Sequence, residues 1–382
     1  MTNIVFKKLT KENGNEFCRF LREIFGEDLP INQQIYEHIH FNNPAGESII
    51  YGAWDGEKLV GTGVLDLCNF FMNGKPIRIA HSHSTATHPD YRLYLFENDK
   101  KVTNIYSHLN YLCSVEAKNQ GALLTYGFPN QYAFKPAIKY AHYFDIGTLP
   151  ILLDVFRCRE IISMKRPAWS QIYCTFLTLL PQLILSTKNI FRCRLSHDIQ
   201  IRQVQEIDDE WDHFADEMSK HYSVIQLRDS KYLRWRFLEN PARKYHFLEA
   251  RRSGKLEGYL VYIINPWPER ENNKIMCGYI VDFLVSPTSN GNKTLRNLIY
   301  HAKTDFINQK AVIATSICNI PSRFSKIFSA SGFWKTPSLF APHPVHFIIQ
   351  KHFLETEYFR DLGKIFDNLE SWYLTMGDND II

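Results

Sequence analysis

Apolar positions recur along the chain with two periods, one of two residues and one of three to four, and their order predicts the fold. Alternation marks NIVFKKLT near the start as a strand, and the helical period marks NEFCRFLREIF and INQQIYEHIHF as two helices. Several strands follow, among them IRIAHSHSTAT, whose alternation predicts that His81, His83, Thr85 and Thr87 share one face. The sequence HPDYRLYLFEND then breaks the strand at Pro89, and the helical stretch KKVTNIYSHLNYLCSVEAKNQ follows it. A strand that stops at proline and leads through an arginine into a helix start is a place where unpartnered helical N–H groups can hold an anion. The half closes with a strand (GALLTYGF), a helix and a last strand (TLPILLDVF).

The second half repeats this order. IQIRQV and the helix EWDHFADEMSK open it, and the strands YHFLEARRSG, LEGYLVYII and IMCGYIVDFLV follow. The helix TLRNLIYHAKTDFINQ, the strand AVIATSIC, the helical SRFSKIFSAS and the strand HFIIQ complete it. Landmarks keep their offsets: Asn43-Pro44 with Gly61 matches Asn240-Pro241 with Gly258, Pro89 matches Pro287, and Asn130 with Phe144 matches Asn319 with Phe333. Such self-similarity predicts two copies of one α+β unit, over residues 1–157 and 198–382, joined by 158–197.

Within that joining region, residues 161–195 have an apolar centre too short to cross a bilayer and interrupted by Pro181. Arg157, Arg159, Lys165 and Arg166 flank it on one side and Lys188, Arg192 and Arg194 on the other. Two readings fit, a helical linker packed between the copies or an amphipathic anchor in peripheral contact with anionic lipid.

Composition narrows the function classes. The 382 residues suffice for two cores, and 44 basic against 40 acidic residues give a net charge of +4, so no nucleic-acid partner is expected. Eight cysteines are scattered without CxxC pairs or metal-ligand spacing, which predicts reduced thiols in a cytoplasmic protein and no metal site.

Together ATHPDYR, YGFPN, YLRWRF with its following Asn-Pro, and the closing WYLTMGDND resemble the GNAT N-acetyltransferases, in their tandem branch. The resemblance covers nearly the whole chain outside the central segment. It implies units built around a mixed, twisted sheet, with acetyl-CoA as co-substrate in the splay between two central strands and a small amine as acceptor. An amino sugar of surface polysaccharide synthesis is one such amine. The family's phosphate loop reads R/Q-x-x-G-x-G/A, and its frame is matched through Ala86, Thr87 and Arg92, but Leu95 and Glu97 stand where the glycines belong. In the second half SPTSNGNKT supplies only Gly291, with Lys293 and Thr294, so the first half is the expected cofactor site.

Acyl transfer to an amine needs a base for the ammonium and a proton for the leaving thiolate. By the resemblance His81 is the base and Tyr132 the acid, His83 and Tyr140 are next in line, and Asn130 contacts the acyl or pantetheine part. Asp282, a carboxylate inside the strand GYIVDFLV, is either functional or paired. Two other readings stay open: a degenerate pair of domains that binds a ligand or partner, and a Fem-type aminoacyltransferase.

Overall fold

The computed structural model describes residues 4–98, 101–165, 195–267, 274–319, 322–337, 343–353 and 357–379. The segment 161–195 lies outside them from residue 166 to 194. Two compact units are present, one of Met1–Thr148, Ser223–Arg243 and His343–Ser371, the other of Leu149–Tyr222, Lys244–Pro342 and Trp372–Ile382.

In the first unit the sheet runs β1 (Ile4–Lys8), β2 (Ile49–Asp55), β3 (Lys58–Met72), β4 (Lys75–Thr87), β7 (Ala122–Gly127), β17 (Val345–Lys351) and β8 (Phe144–Leu149). Strand β4 runs parallel to β7, while β1 with β2, β2 with β3, β3 with β4, and β7 with β17 are antiparallel. Both faces of β3 and β4 are covered, so the strands carry apolar residues on both sides. Helices α1 (Gly14–Phe25) and α2 (Gln33–Phe41) bring Phe17 and Tyr36 to Val64 and Ala86 on one face. Helix α3 (Ile105–Asn119) brings Cys113 and Ala117 to Leu65, Leu67 and Ala80 on the other. Close approach of α3 depends on missing side chains: a Cβ at Gly61 would stand 2.9 Å from Ile105, and one at Gly63 would stand 3.1 Å from Cys113.

The second unit repeats the plan with β10 (Gln200–Gln203), β12 (His246–Arg252), β13 (Lys255–Trp267), β14 (Ile275–Val285), β15 (Ile313–Ile317), β9 (Ile151–Val155) and β16 (Trp334–Lys335) in that spatial order. Here too the central pair, β14 with β15, is parallel. The helix Ser289–Asn308 lies over the sheet, with the Phe306 ring 2.6 Å from where a Cβ of Gly278 would be. The expected α+β class and its two sheet units are therefore present.

The units are not the sequential blocks 1–157 and 198–382, because each sheet takes a strand from the other half of the chain. TLPILLDVF does not close the first sheet: Ile151–Val155 pairs antiparallel with Ile313–Ile317 in the second. HFIIQ in turn pairs with β7, Ile348 opposite Gly127. In the second unit the incoming strand is fixed by a buried ion pair, Asp154 Oδ2 to Lys303 Nζ at 2.5 Å. Periodicity identifies a strand but carries no information about its partner, which explains the difference.

The segment after β4 also departs from expectation. Leu95–Asn98 (β5) and Lys101–Asn104 (β6) form an antiparallel hairpin, and α3 starts only at Ile105, capped by the Asn104 side chain accepting from Ser107 N–H at 2.8 Å. Leu95 and Glu97 are strand residues, so glycine at either would loosen a hairpin rather than open a phosphate loop. Phe96 packs onto Phe6 and His108, 5.4 and 5.6 Å between ring centres, closing the hairpin against the start of α3.

Candidate active site

The parallel ladder between β4 and β7 ends at Ser82 opposite Gly127, while β4 continues to Thr87. Residues 83–87 thus run on beyond the end of β7 at Gly127, the level at which the family resemblance implies a splay. Just there β4 carries an extra residue. Val64 faces His83 and Thr62 faces Ala86, so Ser84 and Thr85 together oppose Gly63 in a β-bulge. Ser84 takes a left-handed φ of 46°, unusual for a residue with a side chain. Three hydrogen bonds hold it so: Thr62 Oγ1 donates to Ser84 O at 2.9 Å, Val64 N–H to Thr85 Oγ1 at 3.3 Å, and Thr85 Oγ1 to His83 O at 3.2 Å.

The bulge changes which side chains share a face. His81, His83 and Ala86 lie opposite Asp66, Val64 and Thr62, on the α1/α2 face, whereas the alternation placed Thr85 and Thr87 with the histidines. A row of rings crosses that face. His40 stacks on His83 at 5.5 Å, His83 on His81 at 5.4 Å, and His81 on Tyr126 at 4.6 Å with 16° between the planes.

Beneath the row lies Asp66, in VLDLC of β3, only 7% exposed. His83 Nε2 is 2.8 Å from its Oδ2, His40 Nδ1 is 3.4 Å from its Oδ1, and the Ser48 hydroxyl donates to Oδ1. Burial alone would raise the Asp66 pKa, but the charge of His83 and the hydrogen bonds from His40 and His83 outweigh it and hold the carboxyl well below its ordinary value. Burial depresses the His40 pKa, against the pull of Asp66. His40, Asp66 and His83 offer ligand atoms within 4.8 Å of one another. Yet two ligands of a tetrahedral zinc, each about 2.0–2.1 Å from the metal, stand roughly 3.3 Å apart. The 2.8 Å between His83 and Asp66 is the closer approach of an ion pair.

The other expected site residues lie at and just beyond the ends of β4 and β7. Thr87 ends β4, and its carbonyl accepts from Arg92 Nε at 3.3 Å across the short Pro89–Tyr91 turn. Asn130 follows β7 and spends its side-chain oxygen on Tyr132 N–H and Ala133 N–H, at 2.9 and 3.0 Å, ahead of α4 (Phe134–Tyr140). Tyr132 is 80% exposed, and the aromatic neighbours of His81 include Tyr126, His83 and Phe128 but not Tyr132. Asp66, Ser48, His40 and Ser84 escaped the sequence reading. The rule that singled out Asp282, a carboxylate inside an apolar strand, applies equally to Asp66.

Asp282 itself is paired. Tyr259 Oη and Thr375 Oγ1 each donate to it at 2.7 Å. The only glycine of SPTSNGNKT is consumed by its own turn: a Cβ on Gly291 would lie 1.7 Å from Ser286 O, and its N–H donates to Thr288 Oγ1. Thr294, fully buried, donates to Glu257.

No family model and no curated protein matches the chain. Solved structures do. N-myristoyltransferase of Saccharomyces cerevisiae, solved with bound myristoyl-CoA, aligns at a TM-score of 0.59 with 10% identity over 92% of this chain and 79% of its own. A protein of Enterococcus faecalis V583 described as a "Probable N-Acyltransferase" gives 0.58 and 14% over 92% and 72%. Both units have a parallel central pair, and the alignment covers 92% of the chain. The chain has a GNAT-like fold. A GCN5-related N-acetyltransferase from Anabaena variabilis agrees, at 0.58 and 11% identity over 91% of this chain and 73% of that one. Among the described residues no helix is long and apolar enough to cross a membrane.

Acidification is expected to weaken this fold through its buried imidazoles. Burial lowers the His352 pKa to about 4, beside Thr125 Oγ1 at 2.8 Å, and lowers that of His40 as well. Between about pH 6.5 and the depressed folded value the unfolded chain binds protons that the folded chain does not, so stability falls as pH falls through that window. His352 alone contributes up to about 3 kcal/mol of the loss. Urea denaturation at pH 7 and pH 4.5 measures it, and His352→Gln should flatten the dependence; an unchanged slope in that variant would remove His352 as the cause.

Proposed function

We propose that the protein transfers an acyl group from acyl-CoA, acetyl-CoA in the first instance, to the amine of a small molecule in the splay of the first unit. The observation that carries this reading is the bulged end of β4, where a histidine row backed by a buried carboxylate borders the place at which β4 parts from β7. An apolar sheet has no need of so many titratable groups, and a row of imidazoles is suited to moving protons near neutral pH. His81, held against Tyr126, takes the ammonium proton. Ala86, Thr87 and Arg92 line the β4 side of the cofactor and Asn130 the β7 side. Amino sugars are the first acceptors to try.

A second reading, a GNAT-like binder without catalysis, is favoured by the hairpin Leu95–Asn104, which occupies the stretch where the family's phosphate loop would run. Binding separates the two. Acetyl-CoA is expected to give measurable heat and a thermal shift, both weak because Leu95 and Glu97 stand where the family's loop has glycines. Neither heat nor shift at millimolar acetyl-CoA would leave the binder standing and the transferase without support.

A further inference from the structure

In the second unit the parallel ladder pairs Cys277, Gly278 and Tyr279 with Ile313, Ala314 and Thr315. Just beyond it, where the resemblance puts acyl-CoA, residues 372–375 of the same chain are bonded to the continuations of both strands. Asn319 and Leu374 exchange backbone hydrogen bonds at 2.8 and 3.1 Å, and Asn319 Nδ2 donates to Trp372 O at 2.9 Å. On the β14 side Tyr373 Oη donates to Phe283 O, and Thr375 Oγ1 donates to Asp282 Oδ1 at 2.7 Å. We infer that this segment is a built-in occupant of the cofactor position of the second unit, latched by Thr375 to Asp282, and that the unit takes no acyl-CoA. The inference rests on the acyl-CoA reading only for naming what is excluded.

Comparison of the two copies supports it. Both carry a bulge: Val261 faces Asp282 and Tyr262 faces Ile280, so β14 has an extra residue as β4 does. Asn319 repeats the landmark Asn130. In the first unit that asparagine serves its own turn, its side chain accepting from Tyr132 and Ala133 N–H and its carbonyl from Ala133 and Phe134 N–H. Among the described residues no distant segment bonds to it. In the second unit the same landmark reaches Trp372, 53 positions further along the chain, and the carboxylate at the bulge accepts from Thr375. Bulge and asparagine belong to the common plan, and the strand lodged between them belongs to one copy.

Burial decides between a permanent occupant and a lid. A lid that opens for a ligand is drawn from the least stable parts of a fold, where few apolar contacts are buried. Trp372, Tyr373 and Leu374 are 2%, 1% and 0% exposed, and the Tyr373 ring packs on Tyr222 with 4.5 Å between centres. Thr375 also caps the turn Met376–Asp378, its N–H donating to Asp378 Oδ2 at 2.7 Å, so backbone and hydroxyl are fixed together. The latch accounts for Asp282 as well: a carboxylate 1% exposed in an apolar strand needs donors, and Tyr259 and Thr375 supply them.

Amide hydrogen exchange of the full-length protein, with and without millimolar acetyl-CoA, is the test. The Asn319 and Leu374 amides should exchange about 10³-fold or more slower than in an unstructured peptide, as in a segment that leaves only when its unit unfolds. Acetyl-CoA should not change that rate. Thr375→Val keeps the volume and removes the latch, and should speed exchange over 372–375 about tenfold or more while the β7 amides of the first unit stay as they were. Thr375→Ser restores the hydroxyl and should restore the wild-type rate. Unprotected Asn319 and Leu374 amides, protection lost on adding acetyl-CoA, or a folded Thr375→Val with unaltered exchange would each overturn the inference. Should Thr375→Val fail to fold, the two wild-type measurements decide alone. Protected amides in a protein that binds no acetyl-CoA would keep the occupant and remove the acyl-CoA reading.

Discussion

Asp66→Ala is expected to destabilise the protein by about 3–5 kcal/mol, the range for breaking a buried charge pair by removing one partner. Three groups converge on that carboxylate, His83, His40 and Ser48, and all lose it together. None can turn to water instead, since His40 is 1% exposed and Ser48 is buried. The polar atoms left behind keep their desolvation cost without their partner. Asp66→Asn keeps the volume and one acceptor and should recover part of the loss. Because the folded Asp66 pKa lies below the unfolded one, its contribution is present above about pH 4 and disappears as pH falls through the folded value. Equilibrium unfolding at pH 7 and pH 3 would measure both effects. A change under 1 kcal/mol at pH 7 would mean that solvent replaces the carboxylate and that the network is not the closed one described.

The second large effect concerns turnover. His81→Gln is expected to lower kcat/KM for acetyl transfer by about 10²-fold to 10⁴-fold, the usual contribution of a general base, equivalent to ~3–5 kcal/mol of transition-state stabilisation. Stacking on Tyr126 fixes the imidazole plane, so glutamine, of similar reach and hydrogen-bonding capacity, should preserve the fold while removing the titrating nitrogen. The acid limb of the pH–rate profile should disappear with it. Tyr132→Phe tests the acid role that the family resemblance gave to this side chain; its 80% exposure predicts nearly full activity in that variant. Undiminished turnover in His81→Gln would move the base to His83.

Much of the architecture was readable because alternation and helical period are local. The repeated order of elements follows from stretches of ten to fifteen residues, while the mixed sheet came from the family resemblance. What was not readable depends on distant partners or on single-residue irregularities. TLPILLDVF has the pattern of a strand in either sheet, and nothing within it distinguishes Ile313–Ile317 from a neighbour in its own half. In HSHSTAT nearly every position is polar, so an extra residue leaves no trace in the hydrophobic pattern, and the contact of Ser84 with His83 follows from that residue alone. The hairpin was hidden for another reason. The family motif places a loop at Leu95 and Glu97, and LFEN and KVTN are too short for their alternation to stand out.

The strand crossovers bear on how the protein is made. Gly127 leaves the ribosome long before Ile348, the residue it must face. Until then the outer edge of β7 lacks its neighbour, and an open edge invites pairing with other chains. Contacts closed over such long stretches form slowly. A nascent chain halted anywhere between β7 and residue 345 therefore carries an unsealed first sheet, so completion of that sheet waits on residues translated long after its centre.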